Sequence, residues 1–431
     1  MPDIEAEILC RVETSRDHLV ELCQELVRIN TVNPYAGDPV PGDEAAGQEF
    51  VRARLDPLGP HLVLFDCPAD IYERSGVVGP KDRDFRGRPN VVAEFEFGEG
   101  PRVVLNAHID TVDTVSMTID PFAAEIRDGK VWGRGSSDDK GGQAVGIGVL
   151  EILAQFSDEL CGSIVYESVV DEECNGSGAG TLACIDAGYV GDDAIILDGD
   201  AMTIFHGCGG CLTASIMVEG KAGHAAMPGS VNAIDKAIFV KQAIDAFRAE
   251  REAINPANRL NLGVFRSGTL PAVVPGSAEM QLNMVYSPEE AVEAEKRTGE
   301  WSGAPIRASF EERVAARAQE DEWLREHPPS VEWVKDLLPY RVERDHPIVA
   351  GLGEAYRDVV GLAPSVECID AWGDAAWSDR IGGIPSVMLG PAKPGKAHTA
   401  DECVEIEDLV STAKALALYL FRRLRVQQVS F

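Results

Sequence analysis

The sequence predicts an α/β protein that is interrupted by a second, smaller α+β domain. Two observations favour this fold class. Apolar, strand-like runs alternate with helical segments on both sides of the middle of the chain, and several of these runs end in acidic or histidine-bearing motifs. At 431 residues the chain is long enough for two domains. We therefore expect a main domain formed by 1–209 and 328–431, with 210–327 inserted into it.

The first part of the chain predicts helices and buried strands in alternation. Apolar residues at helical spacing predict an early amphipathic helix: Leu19, Leu22, Cys23, Leu26 and Val27. Four largely apolar runs predict strands: 90–95, 103–107, 163–170 and 194–197. The small and apolar residues of 141–155 predict a buried helix. In a domain of this class, ligands bind beyond the carboxyl ends of the strands.

The pattern changes at about residue 210 and returns after residue 327. Within the inserted domain, the sequence predicts a strand at 213–218 and a helix at 231–252. Two strands follow near 260–265 and near 278–286, and then a charged helical region up to about 325. This order is typical of a small α+β domain, which Pro328 and Pro329 close. The main domain then resumes with one helix and two strands: 346–360, near 365–370 and near 385–389.

Composition excludes several classes of partner. The net charge of −32, with 71 acidic against 39 basic residues, argues against nucleic acid and anionic membranes. No apolar run approaches the length of a membrane span, and the first residues lack the features of a signal peptide. Ten scattered cysteines fit reduced thiols, so we expect a cytoplasmic protein. The pair Cys208 and Cys211 lacks the second pair of a zinc knuckle and favours strand packing instead.

A histidine and an aspartate follow the second predicted strand. His108 and Asp110 are two residues apart and lie on the same side of an extended chain. An imidazole in this position can bind a metal ion, and an aspartate behind it can fix the tautomer of the ring. For this motif by itself, a buried histidine that is merely satisfied by an aspartate is an equal alternative.

A glycine-rich turn at 133–142 carries two further carboxylates, Asp138 and Asp139. It is no phosphate loop, because the Gly-Lys-Ser/Thr ending is absent and the carboxylates would repel phosphate. A carboxylate in such a turn is better explained as a ligand that bridges two cations. We assign this bridge to Asp138.

Further carboxylates and a second histidine follow later strands. In the triplet 171–173, one glutamate can coordinate a cation while the other acts as a general base, although adjacent carboxylates are also common on plain surfaces. Asp198 is a further candidate ligand, with Asp200 as its alternative, and His398 completes the set. Two histidines and several carboxylates suit a pair of divalent cations, for which Zn²⁺, Co²⁺ and Mn²⁺ are all compatible.

Together, these motifs resemble those of the di-zinc co-catalytic metallopeptidase family that includes acetylornithine deacetylase, succinyl-diaminopimelate desuccinylase, aminoacylase and glutamate carboxypeptidase. The resemblance rests on motifs that stand in the same order over nearly the whole chain: His-x-Asp at 108–110, Gly-Arg-Gly-x-x-Asp-x-Lys-Gly-Gly at 133–142, Asp-Glu-Glu at 171–173, Asp198, Ala-His-x-x-Asp-Glu at 397–402, and the segment 220–226. It implies a mixed-sheet catalytic domain with an inserted ferredoxin-like domain that serves as a dimerisation lid.

The resemblance also implies which residues hold two divalent metal ions per chain. One ion would take His108 and Asp198, and the other would take Glu173 and His398. Asp138 would bridge both.

Three more residues take catalytic roles by resemblance. Glu172 would be the general base, and Asp110 would orient His108. His224, in the inserted domain, would cross a homodimer interface to stabilise the oxyanion in the site of the other subunit. Taken alone, its segment of small residues would suggest a surface histidine.

Three departures from the family pattern concern the substrate. Relatives that bind an amino-acid carboxylate often carry Asn, Arg and Arg where this chain has Ala272, Val285 and Ala376. An Arg fork grips a carboxylate through two hydrogen bonds, which alanine and valine cannot form. A flat aromatic ring would suit such a pocket better than an N-acyl amino acid. The candidate substrate contacts are Arg266, Trp377 and Arg380, although Trp377 is equally compatible with the core.

The sequence thus predicts a metal-dependent hydrolase, of deacylase or amidohydrolase type, for a C–N bond other than a peptide bond in a small molecule. Hydrolytic deamination of an aromatic amine is the alternative, as in the family's 5-nitroanthranilate aminohydrolase branch, and a peptidase of broad specificity is a further option. A catalytically silent scaffold is disfavoured, because it would have no physical need for a self-repelling cluster of carboxylates.

Overall fold

The computed structural model describes residues 4–81, 83–173 and 177–425, which fold into two units with separate apolar cores. The main domain has the larger core, whose residues come from before Gly209 and after Asp336. The inserted domain has its own core between Leu212 and Leu324. The predicted fold class, an α/β domain with an inserted α+β domain, is confirmed.

The helices begin and end as follows. They are α1 (Ile4–Thr14), α2 (Arg16–Arg28), α3 (Glu44–Leu55), α4 (Ile71–Arg74), α5 (Lys140–Leu153), α6 (Ala179–Asp186), α7 (Ala233–Ile254), α8 (Pro288–Thr298), α9 (Ala304–Ala318), α10 (Glu322–Glu326), α11 (Pro347–Val360), α12 (Ala375–Arg380) and α13 (Ile406–Leu424). Within the described segments, no helix is long and apolar enough to cross a membrane.

The strands are β1 (His61–Asp66), β2 (Pro89–Glu96), β3 (Arg102–His108), β4 (Glu125–Arg127), β5 (Lys130–Trp132), β6 (Ser163–Val169), β7 (Asp193–Ile196), β8 (Thr203–Cys208), β9 (Gly210–Glu219), β10 (Gly223–His224), β11 (Leu260–Ser267), β12 (Val273–Val274), β13 (Ser277–Tyr286), β14 (Ser330–Leu337), β15 (Tyr340–Arg341), β16 (Ser365–Ile369), β17 (Ser386–Met388) and β18 (Cys403–Glu405). Cys208 and Cys211 lie in adjoining strands as free thiols, which fits strand packing.

The main domain is built on a nine-stranded mixed sheet. Its strands are ordered β1-β2-β6-β3-β7-β17-β8-β15, with β16 paired to β8. The neighbours β6, β3, β7 and β17 run parallel to one another, and every residue of β6 and β7 is buried. Because parallel strands end at the same edge of a sheet, the loops that follow these four strands meet there.

The inserted domain has the ferredoxin-like arrangement. Its four antiparallel strands are ordered β11-β13-β9-β14, and the helices α7 and α9 pack against each other. Buried and less buried residues alternate along β9 and β13, as expected for a sheet with one covered face.

One predicted domain boundary is wrong. The inserted domain was expected to end at residue 327, but β14 (Ser330–Leu337) pairs with β9 and belongs to the same sheet. Pro328 and Pro329 end only the helical region, after which the chain adds an edge strand. The sheet of the inserted domain therefore continues into β14, whose last residue, Leu337, packs in the core of the main domain.

Candidate metal centre

The five predicted metal ligands lie at the edge where the parallel strands end. His108 is the last residue of β3, Glu173 follows β6, and Asp198 follows β7. His398 lies in the loop between β17 and β18, and Asp138 lies in the turn that precedes α5. The topology of the sheet thus brings together residues that are far apart in the sequence.

Their ligand atoms form two adjacent groups that share Asp138. The groups are His108, Asp138 and Asp198, and Asp138, Glu173 and His398, each with its ligand atoms within 4.8 Å of one another. The Nε2 atom of His108 is 2.9 Å from one carboxylate oxygen of Asp138, and the Nε2 atom of His398 is 3.1 Å from the other. Asp138 therefore faces both imidazoles, as a bridging ligand would.

The electrostatics of the cluster fit two divalent cations. Burial raises the pKa of Asp198 to about 8 and that of Glu173 to about 7, because carboxylates are crowded in a site with little water. Burial lowers the pKa of His398, but its contacts with Asp138 and Glu173 outweigh this effect and raise the pKa to about 11. Divalent cations would replace the protons that such a site otherwise retains. Two imidazoles and three carboxylates are also a donor set that such cations favour.

Asp110 contacts both His108 and the segment that carries Glu172 and Glu173. Its main-chain carbonyl oxygen lies 2.9 Å from Nδ1 of His108, whereas its carboxylate is 3.7 Å from that atom. The carboxylate instead accepts hydrogen bonds from the main-chain N–H groups of Glu172, at 3.3 Å, and Glu173, at 3.1 Å. Asp110 thus contacts His108 mainly through its main chain and holds the two glutamates with its side chain.

Asp171, the first residue of the acidic triplet, is turned away from the cluster. Its φ of 70° lies in the left-handed region, and its side chain enters a buried network. The carboxylate accepts a hydrogen bond from Oγ of Ser177 at 2.7 Å and lies 3.3 Å from the Arg88 guanidinium. Asn33 donates to Asp110 at 2.8 Å and to Asp171 at 3.4 Å. This network anchors the segment that carries the two glutamates.

Glu172 has a buried carboxylate beside the two ligand groups. Burial and the nearby acids Asp374, Glu173 and Asp198 raise its pKa well above the ordinary value, while His108 acts in the opposite direction. Within the described segments, the Glu172 carboxylate makes no hydrogen bond and no ion pair. Its side chain is therefore available to accept or release a proton.

Neighbouring polar residues of the motifs lie outside the two ligand groups. The Asp139 carboxylate accepts a hydrogen bond from the main-chain N–H of His108 at 3.2 Å. Lys140 is fully buried, and its Nζ donates to the main-chain carbonyl of Ile29 at 2.7 Å. Asp200, the alternative to Asp198, is half-buried and belongs to neither ligand group of the described residues.

His224 lies on the inserted domain, away from these contacts. It ends the short strand β10, which pairs with β12, and its side chain is exposed. Its Nδ1 accepts a hydrogen bond from the main-chain N–H of Ala226 at 3.1 Å. Within the described part of the chain, no hydrogen bond or ion pair joins His224 to the metal ligands.

The predicted substrate contacts, Arg266, Trp377 and Arg380, each have another partner in the structure. Trp377 is fully buried and donates through Nε1 to the carbonyl of Ser177 at 3.0 Å, as a core residue does, and its contact with a substrate ring stays a prediction. The Arg380 guanidinium lies 4.0 Å from the ring centre of Trp301, in the inserted domain. Arg266 is exposed on β11, 3.8 Å from Glu279 of the next strand.

Sequence reasoning assigned no role to three buried residues that support the site: Asn33, Arg134 and Glu402. Arg134 and Glu402 stand inside the motifs on which the family resemblance rests, and this is the signal that could have found them. Asn33 precedes a proline in a loop and carries no comparable signal.

Comparison with protein families identifies the chain. A model described as Peptidase family M20/M25/M40 matches residues 104–422, well over half of the sequence. The chain belongs to this family. It is therefore a metallohydrolase of the Peptidase family M20/M25/M40, and the predicted resemblance is confirmed.

Relatives within the family share nearly the full length of the chain. An N-formyl-4-amino-5-aminomethyl-2-methylpyrimidine deformylase from Halalkalibacterium halodurans is 28% identical, with 96% of each chain covered. A succinyl-diaminopimelate desuccinylase from Thioalkalivibrio sulfidiphilus is 25% identical, with 90% of this chain and 94% of the relative covered. The solved structure of a di-peptidase from Saccharomyces cerevisiae has a TM-score of 0.74 at 15% identity and covers 98% of this chain and 99% of its own, so the two share the fold.

Proposed function

We propose that the protein is a two-metal deacylase that hydrolyses a C–N bond other than a peptide bond and releases a small acyl group from an amine. The proposal rests on the carboxylate of Glu172, which makes no hydrogen bond or ion pair with a described residue and lies beside two ligand groups that share Asp138. A general base must lie within hydrogen-bond reach of the proton that it takes from the reacting water.

In the proposed site each residue has a defined task. His108 and Asp198 would hold one divalent cation, Glu173 and His398 would hold the other, and Asp138 would contact both. Bound cations of this kind polarise a carbonyl group and lower the pKa of water from about 15.7 toward ~7. Glu172 accepts the proton of the attacking water and delivers it to the leaving nitrogen.

Two observations support a substrate without a carboxylate next to the scissile bond. Ala376, at a position where relatives often carry an Arg that binds a carboxylate, is fully buried, and Arg380 is engaged with Trp301. The similar deformylase is named for an N-formyl group on an aminomethylpyrimidine, a substrate without a carboxylate. We therefore propose a short N-acyl group on a ring-bearing amine, without a carboxylate next to the scissile bond.

The inserted domain would complete the site from a second subunit. We propose that His224 stabilises the oxyanion across a homodimer interface. Three large apolar side chains on the loops and strands next to His224 are exposed, which supports an interface there: Met227, Leu270 and Val273. A singly scattered apolar residue needs no explanation, but several together mark a contact surface.

The proposal is tested by metal analysis and a hydrolysis screen on the wild type, Glu172→Gln and Asp200→Asn. We expect two divalent cations per chain, formate release from an N-formyl aminomethylpyrimidine, and a loss of roughly 100- to 10,000-fold in kcat for Glu172→Gln. Asp200→Asn, which removes a carboxylate from the same sheet edge, should retain activity.

Other outcomes of this screen would replace the proposal. Ammonia released from aminobenzoates would indicate the aromatic aminohydrolase, and cleavage of dipeptides alone would indicate a peptidase. Bound metal without turnover of any substrate class would point to a silent relative.

A further inference from the structure

We infer that Glu402 is a positioning residue that holds the turn of the bridging ligand Asp138 and thereby sets the affinity of the metal centre. This inference rests on the proposed function only in taking Asp138 as a metal ligand. Glu402 follows His398 by four residues, and its side chain reaches back to the glycine-rich turn that contains Asp138.

The carboxylate of Glu402 caps the main chain of that turn. Its Oε1 atom accepts hydrogen bonds from the N–H of Ser137 at 3.0 Å and from the N–H of Asp138 at 3.2 Å. Its main-chain oxygen accepts a third hydrogen bond, from the N–H of Gly133 at 3.1 Å. One residue therefore ties the loop of His398 to the turn of Asp138.

Arg134 balances the negative charge of the buried Glu402 carboxylate. Its Nη1 lies 2.5 Å from Oε2 of Glu402, and both side chains are only 1% exposed. Its Nε donates to the main-chain carbonyl of Asp113 at 2.9 Å. The two oxygens of Glu402 thus have separate tasks, since one faces two main-chain donors and the other faces the guanidinium.

Stability alone does not account for this arrangement. A buried ion pair is weak evidence for stabilisation, because the cost of desolvating two charges offsets much of their attraction. Carboxylates that hydrogen-bond to the surroundings of a metal ligand fix that ligand's orientation, and their loss typically costs about 10- to 100-fold in metal affinity or activity. The contacts of Glu402 match this second role, because they fix the main chain from which the Asp138 side chain extends between His108 and His398.

Glu402→Gln tests the inference without a change in side-chain size. A glutamine has one acceptor and one NH₂ group, so in either orientation its NH₂ meets a donor, either the main-chain N–H groups or Arg134. The affinity for Mn²⁺ and Zn²⁺ would be measured by calorimetry and competition with chelators, and the melting temperature would be measured with and without metal. We expect a loss of about 10- to 100-fold in metal affinity.

The inserted domain offers a matched control, Glu290→Gln. Glu290 accepts a hydrogen bond from the main-chain N–H of Ser287 at 3.0 Å and from Nη1 of the buried Arg251 at 2.8 Å, so it makes the same kinds of contact away from the metal centre. We expect it to lower the melting temperature while leaving the metal affinity unchanged. Equal metal affinity for wild type and Glu402→Gln would overturn the inference and leave Glu402 a structural residue.

A second variant covers the case in which Glu402→Gln does not fold. Glu402→Asp keeps the charge opposite Arg134 but shortens the reach to the main-chain donors, so we expect a smaller but measurable loss of metal affinity. Unchanged affinity in this variant would also overturn the inference. A wild-type chain that binds no divalent cation would instead overturn the proposed function, so the two failures are distinguishable.

Discussion

Glu167 carries a buried carboxyl group whose removal should change how stability depends on pH. It lies on β6 and is 2% exposed. Its Oε2 accepts a hydrogen bond from Nδ2 of Asn106 at 2.9 Å, and its Oε1 has no partner among the described residues. Burial, which is the largest effect, raises its pKa from 4.5 to about 8. The folded protein therefore keeps this carboxyl protonated at neutral pH, whereas the unfolded chain does not.

The sign and size of the effect follow from proton linkage. Since the pKa is higher in the folded state, the stability linked to this proton is fully present below pH 4.5 and is lost as the pH rises through about 8. At about 1.4 kcal/mol per pKa unit, the loss reaches about 5 kcal/mol above pH 8. Glu167→Gln is neutral at every pH, and its amide oxygen can accept the bond from Asn106. We expect the advantage of this variant over the wild type to stay within about 1 kcal/mol at pH 5 and to reach about 5 kcal/mol at pH 9.

Urea unfolding at pH 5, 7 and 9 measures the difference. Glu99→Gln, which removes an exposed carboxylate from the loop after β2, is the control and should follow the wild type. A constant difference between Glu167→Gln and the wild type at all three pH values would refute the reasoning, because it would mean that Glu167 is charged in the folded protein.

Three further predictions concern the metal centre and the inserted domain. Chelation should lower the melting temperature, since the buried carboxylates lose the charge that balances them, and Zn²⁺ or Mn²⁺ should restore it; an unchanged melting temperature would argue against bound cations. His224→Asn should lower kcat more than it changes KM, and mixing it with Glu172→Gln should restore activity if the histidine acts across a dimer, whereas no recovery would place it within one chain. Arg380→Met removes the contact with Trp301 and should cost about 0.5–2 kcal/mol in unfolding free energy without changing KM; a raised KM would instead indicate a substrate contact.

The sequence could indicate which candidate ligands come together because each stands at the end of a strand or in an adjoining turn. His108 ends one strand of the sheet, and Asp198 and Glu173 follow its parallel neighbours, so a pattern read along the chain carries over to the fold. The role of Trp377 could not be read this way, because burial depends on packing against Ser177, 200 residues away. The same holds for Asn33, whose partner Asp110 lies 77 residues further on.

The boundary at β14 shows a second limit of local patterns. Ser330–Leu337 mixes charged and apolar residues and follows two prolines, so it has no clear strand signature. Its pairing with β9, more than a hundred residues earlier, defines it as a strand of the inserted domain. The preference of a residue for a strand depends strongly on such tertiary context.

The position of β17 determines when the main domain can be completed during synthesis. This strand, Ser386–Met388, lies inside the sheet between β7 and β8, although the whole inserted domain separates it from them in the chain. Until the ribosome has made it, β7 and β8 present open strand edges, which are prone to pairing with other chains. The inserted domain can fold first, whereas the sheet must wait until about nine tenths of the chain has been made. Chains that end before β17 would therefore be prone to aggregate through these edges, in addition to lacking His398.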